Sequence, residues 1–224
     1  MKRSPRGRLF KIYKKLFALY GPQGWWPGRS RLEIIVGAIL TQNTAWTNVE
    51  KAIKSLKEAG ALTSPACINS MRRDKLARLI RPAGYYNVKA SRLKNFFDLL
   101  HKSYKGNIAG MGKAPTEELR RDLVQVNGIG PETCDSILLY AFNRPVFVVD
   151  AYTKRIFSRH KLCGRDAEYG IVQNLFMRNL PHSVRIYNEY HALIVRLAKE
   201  FCRTKPRCAA CPLRSLSRAA IVCA

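Results

Sequence analysis

Between Glu117 and Phe142 two apolar-faced segments are separated only by Asn127-Gly128-Ile129-Gly130-Pro131. Leu119, Leu123 and Val126 recur at helical spacing before this turn, and Cys134, Ile137, Leu138 and Ala141 after it. Pro131 suits the first turn of a helix, where its missing N–H leaves nothing unpaired. The glycines allow a backbone approach that a Cβ would block, and Ile129 between them is an apolar plug. Two helices joined in this way form a helix–hairpin–helix, spanning residues 117–142. Its turn amides and the positive end of the second helix suit an anion such as phosphate. Contacts of that kind give affinity without sequence choice.

The remainder of the chain also reads as helix. Apolar residues fall at three and four spacings in Leu32 to Leu40, Val49 to Leu56, Leu93 to Leu100 and Tyr187 to Cys202. No period-2 alternation is long enough for a sheet, so the expected fold class is all-α. The charge identifies a partner class. Forty Lys+Arg against fifteen Asp+Glu give +25, which a compact domain tolerates most readily against a polyanion. An aromatic content of 10% is high for a ribosomal or chromatin protein. No apolar run approaches the ~18 residues of a membrane span. The N-terminus carries nine Lys/Arg before the first acid, Glu33, and Lys14 and Lys15 interrupt any signal-peptide core. Phe10, Ile12, Tyr13, Phe17 and Tyr20 there suggest a basic amphipathic helix.

Two further features carry chemistry. The apolar run Pro145-Val146-Phe147-Val148-Val149 ends in Asp150, followed by Tyr152-Thr153-Lys154-Arg155. An aspartate there is either a helix N-cap or a catalytic carboxylate. Of seven cysteines, Cys202, Cys208, Cys211 and Cys223 crowd into the C-terminus. That clustering reads as a metal or iron–sulfur site in a reducing compartment rather than a disulfide framework.

Together these residues resemble the endonuclease III-like, helix–hairpin–helix superfamily of DNA glycosylases. Ile35-Val36-Gly37-Ala38-Ile39-Leu40-Thr41-Gln42-Asn43-Thr44 resembles the helix and polar loop that fill the gap left by a flipped base. Gly84-Tyr85-Tyr86-Asn87-Val88-Lys89-Ala90 resembles the G-x-Y-x-x-K-A segment. Trp25-Trp26-Pro27, with the polar loop, is most similar to the branch containing 3-methyladenine DNA glycosylase. The resemblance implies a two-lobed fold: a helical barrel at residues 32–142, and a second helical domain from residues 1–31 plus 143–224 with a cysteine loop at 202–223. It implies a monomer acting on double-stranded DNA that contains a damaged base, with no membrane partner, in the cytoplasm at the nucleoid, with a mitochondrial or nuclear place as the alternatives.

The resemblance also implies roles. Asp150 matches the catalytic aspartate. Glu132 stands where bifunctional members carry a Schiff-base lysine, and a carboxylate cannot form the imine, so a monofunctional glycosylase is implied. Trp25, Trp26, Pro27, Trp46 and Glu132 are candidates for the base pocket, since indole faces bind a cationic alkylated purine. Gln42, Asn43, Asn127, Gly128, Ile129, Gly130, Lys89, Lys154 and Arg155 are candidates for DNA contact. Tyr85 and Tyr86 read as packing residues before wedge residues, and no histidine is given a role. The family's cysteine spacing is C-x6-C-x2-C-x5-C. Here Cys202, Cys208 and Cys211 give C-x5-C-x2-C, Ser217 takes the fourth position, and Cys223 is the substitute. A [4Fe-4S] cluster on these four thiolates is expected, with zinc or no metal as alternatives. Other readings of the chain are a glycosylase for deaminated or oxidised pyrimidines, and a non-catalytic DNA-binding protein.

Overall fold

The computed structural model describes residues 5–216. Among them are twelve α-helices and no strand: α1 (Pro5–Tyr20), α2 (Arg31–Leu40), α3 (Trp46–Glu58), α4 (Pro65–Ser70), α5 (Arg73–Leu79), α6 (Tyr86–Tyr104), α7 (Ile108–Met111), α8 (Thr116–Gln125), α9 (Pro131–Ser136), α10 (Ala151–Arg159), α11 (Tyr169–Asn179) and α12 (Val184–Glu200). No helix among the described residues is long and apolar enough to cross a membrane. The chain divides into two units, Trp26–Arg144, and Met1–Trp25 with Pro145–Ala224. The adjacent indoles Trp25 and Trp26 therefore belong to different units.

In the unit of residues 26–144, local signals start the helices. Ser30 caps α2 by accepting from Glu33 N (3.2 Å), while Glu33 reaches back to the Arg29 amide (3.3 Å). Ser64 and Asn107 cap α4 and α7 in the same way. The core is largely aliphatic, with Ile35, Val36, Ile39, Leu40, Val49, Leu93, Leu119 and Leu123 fully buried, and it takes in the edge-on pair Phe96 and Phe97. The helix begun at Pro131 does not stay α-helical: after Ser136 it widens into a π-helical turn, Ile137–Ala141, buried throughout. Such a turn holds one residue more than an α-turn.

The other unit is organised by aromatic rings. Phe147 stacks on Phe176, with centroids 4.0 Å apart, and Phe157, Tyr187 and Tyr190 meet them edge-on. Edge-to-face and offset contacts are the favoured geometries for such rings. The run Val146–Val149 is buried but has no regular structure. Two of its backbone groups are satisfied by side chains instead: Gln173 Nε2 donates to Phe147 O (2.8 Å), and the Val149 amide donates to Tyr169 Oη (3.4 Å). This buried run leads directly to Asp150.

Candidate active site and nucleic-acid interface

The hairpin forms between α8 and α9. Leu119 and Leu123 are fully buried and Ile129 is 3% exposed, so the plug reading of Ile129 agrees with its place. Asp135, wholly buried on α9, takes a forked contact from Arg120 of α8 (2.9 and 3.4 Å), which clamps the two helices. The glycines have different reasons to be glycine. Gly128 has φ +94°, and a Cβ there would collide with the Arg92 side chain. Gly130, the N-cap of α9, faces open space. Its freedom from neighbours leaves room for a phosphate at the helix start. Asn127 is exposed, and its carbonyl accepts from Asn95 Nδ2 (3.0 Å). Glu132 lies exposed in the first turn of α9.

Gln42 is more constrained than a residue awaiting DNA alone. Its Nε2 donates to Gly128 O (3.0 Å) and Thr133 Oγ1 (2.8 Å), and its Oε1 accepts from Arg92. Asn43 beside it is exposed, at φ +53°. Lys89 corrects the sequence reading outright. It is 1% exposed, and its Nζ donates to Leu40 O (2.9 Å) and Ala83 O (2.7 Å). It is a buried strut and not a phosphate contact. Burial, with Arg92 as a second cause, pushes its pKa down to about 8. Tyr85 also departs from expectation. It is 72% exposed in the left-handed region at φ +45°, an uncommon place for a bulky residue. It does not pack; Tyr86, half-buried, opens α6.

The aromatic corner of this unit is built on Trp26. Its ring meets Trp46 edge-on (4.9 Å, 82°) and Tyr140 at a tilt (4.8 Å, 34°). Both indoles lie within ordinary contact distance of the position a Cβ on Gly37 would take, so a larger residue in the middle of α2 would crowd them. The indoles do not form a parallel sandwich. Trp46 Nε1 donates to Glu50 (2.9 Å). A cavity of about 390 Å³ opens beside them, lined by Trp26, Pro27, Trp46 and further along by Glu33, Glu50 and Lys57. Trp25 is half-buried at the edge of the other unit.

In that other unit Asp150 is the N-cap of α10. Its Oδ1 accepts from both the Thr153 amide (2.7 Å) and the Thr153 hydroxyl (2.7 Å). Its Oδ2 lies 3.5 Å from His191 Nε2 of α12. Burial works to raise the pKa of Asp150, but the His191 imidazole, and then the two Thr153 donors, hold it below the ordinary carboxylate value. The site therefore keeps a shielded anion, with side-chain exposure of 12%. Sequence reasoning missed His191. The available signal was a titratable ring on a stripe with Tyr187 and Ile194, at helical spacing on an otherwise apolar face.

Arg155 is only partly free for DNA. Its Nε donates to Cys202 O (2.8 Å), and its guanidinium lies over the Tyr152 ring. Lys154 is half-exposed on the same helix. Arg159 donates to Cys202 Sγ (3.3 Å), Arg203 O (2.7 Å) and Thr204 O (3.0 Å). Cys211 is half-buried. Burial raises its pKa and the nearby Cys202 adds to that, against amide donors from Leu213 and Arg214. Cys208 carries a disulfide in this structure, so it can ligate only once reduced. Ser217 and Cys223 lie outside the described residues, among which no three Cys, His, Asp or Glu side chains converge on a metal position. The donor set suits a thiolate-bound group: two thiols close enough to repel as anions, with guanidinium and amide donors aimed at sulfur.

Comparison with known proteins agrees with this geometry. Residues 36–182 match the HhH-GPD superfamily base excision DNA repair proteins. A Methanocaldococcus jannaschii protein, named among the DNA repair glycosylases, is 50% identical over 96% of this chain and 97% of its own length. Helicobacter pylori 3-methyladenine DNA glycosylase (MagIII), solved with 1,N6-ethenoadenine bound, superposes with a TM-score of 0.75 at 29% identity, over 86% of this chain and 97% of that one. An endonuclease III–DNA complex gives a TM-score of 0.81 at 21% identity, over 95% of each chain, a likeness of fold.

Proposed function

The chain belongs to the HhH-GPD superfamily of base excision DNA repair proteins, and from that premise we propose that it is a monofunctional DNA glycosylase that removes alkylated purines of the 3-methyladenine type. It is a DNA glycosylase of base excision repair; the substrate and the lack of strand cleavage are the proposal. The observation that carries the chemistry is Asp150, shielded from water yet kept ionised by Thr153 and His191.

Breaking an N-glycosidic bond passes through an oxocarbenium-like sugar, as in glycoside hydrolysis. A purine alkylated at N3 or N7 is already cationic. The bond's electron pair goes to that base, which leaves neutral. Asp150 supplies negative charge to the sugar cation and takes the proton of the water that adds to C1′. His191 and Thr153 hold the carboxylate in place for both roles. The base must first leave the stack, which costs a few kcal/mol and least for a damaged base.

Two features support the alkylpurine reading. Trp26 and Trp46 offer electron-rich rings at the end of a cavity large enough for a purine, and a desolvated cation on an indole gains ~2 kcal/mol. The MagIII structure holds a modified adenine. Pro27 borders the same cavity. With Glu132 at the turn in place of a lysine, no amine there can attack C1′. Exposed Tyr85 and Asn43, with the amides around Gly130, form the surface offered to duplex DNA. In the reduced protein, Cys202, Cys208, Cys211 and Cys223 would hold a [4Fe-4S] cluster, which would cross-link the C-terminal loop.

The test is a panel of duplexes carrying alkylated, deaminated or oxidised bases, with Asp150→Asn as control. Release of methylated purines leaving an intact strand, and abolished in the variant, is the expected result. Release of pyrimidine lesions only, or efficient borohydride trapping of a covalent adduct, would overturn it.

A further inference from the structure

Three polar side chains stand at successive turns of α6: Lys89, Arg92 and Asn95. Each leaves its own helix to hold a different part of the unit 26–144. Lys89 Nζ joins Leu40 O, at the end of α2, to Ala83 O, at the start of the Gly84–Tyr85 turn. Arg92 holds Gln42 by its Oε1, while the same amide reaches Gly128 O and Thr133 Oγ1. Arg92 also fills the space that a side chain on residue 128 would need. Asn95 holds the carbonyl of Asn127. One face of one helix therefore grips the roots of three loops, 41–45, 84–85 and 127–130. Asn43, Tyr85, Asn127 and Gly130, all exposed, sit on those loops.

Packing alone does not explain this choice of residues. A buried ammonium is costly unless fully hydrogen-bonded, and an apolar side chain would fill the same place more cheaply. The two carbonyls that Lys89 satisfies lie 49 and 6 residues away in sequence, so what it secures is the distance between two loops.

We propose that Lys89, Arg92 and Asn95 are positioning residues, and that α6 is the spine keeping the three loops in the mutual register needed to open a duplex around one nucleotide. The proposal rests on the DNA glycosylase reading above, but not on which base is removed. None of the three side chains touches the reacting atoms; each acts through a loop.

The experiment uses the full-length protein and a duplex with 2-aminopurine beside a stable abasic analogue. Fluorescence reports unstacking, and anisotropy gives affinity for this duplex and for an undamaged one. Arg92→Leu should leave affinity for undamaged DNA within about twofold, yet lower the preference for the abasic duplex about tenfold and weaken the fluorescence rise. Arg92→Lys, which keeps a donor, should recover most of the loss, and Asp98→Asn, exposed on the same helix, should change nothing. Arg92→Leu combined with Gln42→Leu should be no worse than the worse single variant, because both cut one link. Lys89→Met should behave like Arg92→Leu; if it fails to fold, the Arg92 series decides.

Equal loss on both duplexes would make Arg92 a plain phosphate contact and overturn the proposal, as would additive effects in the cycle. A wild type with no preference for the abasic duplex would overturn it too. If no alkylated purine in the panel is released while Arg92→Leu still loses the preference, the alkylpurine reading falls and the spine stands.

Discussion

The two units solve the same problem, holding a polar group still, by opposite means. In the unit containing Asp150, the carboxylate takes both of its closest donors from Thr153, three residues on. The core of that unit is a nest of aromatic rings. In the unit 26–144, the polar loops are tied by side chains that are distant in sequence: Gln42 to Thr133 across 91 residues, Lys89 to Leu40 across 49, Asn95 to Asn127 across 32. A single reacting carboxylate needs one orientation, which a helix start supplies locally. A surface that must match a duplex needs several loops in register, and only long-range bonds supply that.

The sharpest test of this contrast is Asp150→Asn. Base release should fall about 10³–10⁴-fold, by loss of the general base and of the charge facing the sugar, while duplex affinity holds. A matching collapse in binding would mean that the two functions are not divided as described. Next in size, Phe176→Ala should cost about 3–5 kcal/mol in chemical denaturation, because it removes the ring stacked on Phe147. Gly128→Ala should cost about 1–3 kcal/mol through its positive φ and the clash with Arg92, and should weaken binding to any sequence alike. Neutralised phosphates release counterions, so affinity should also fall with salt, at a slope of about −0.9 per contact.

The smallest effect separates the units by pH. Asp150 sits below its ordinary pKa when folded, so the stability it contributes is present above that ordinary value and is lost as pH falls through the folded one. Lys89 runs the other way. Its folded pKa is about 8 against 10.5, so between those values the unfolded chain keeps a proton that the folded one has released. The stability that Lys89 contributes should therefore rise with pH across that window, while Cys134 and the buried tyrosines, whose pKa values burial raises, work the other way at its upper end. Thermal melts from pH 7 to 9 should show the Lys89 contribution as a rise of the wild type relative to Lys89→Met.

This contrast also explains what could be read from the sequence. The hairpin, the all-α class and the capping of α10 by Asp150 are legible because each is written within a few residues. His191 is not, because nothing near it in the chain points to residue 150. Lys89 misleads for a related reason: a lysine in a motif says nothing about whether carbonyls 6 and 49 residues away will enclose it. Tyr85 escapes because an aromatic residue after glycine reads as core, and only the left-handed backbone turns it outward. Arg155 reads as a DNA contact, whereas part of it is engaged by the Cys202 carbonyl.

The π-helical turn at Ile137–Ala141 has a consequence for how this chain tolerates changes of length. A widened turn is what a helix becomes when one residue is inserted and both ends are already committed. Here the front end is committed to the hairpin, and Arg144 at the back donates to Gly112 O and Ala114 O. Deleting one residue from 137–141 would let the helix return to α geometry with its two committed ends still in register. The same deletion inside a regular helix such as α12 would instead turn every later residue by ~100° about the helix axis. Length in this stretch is thus under a constraint separate from residue type: the turn can give up a residue that a regular helix could not.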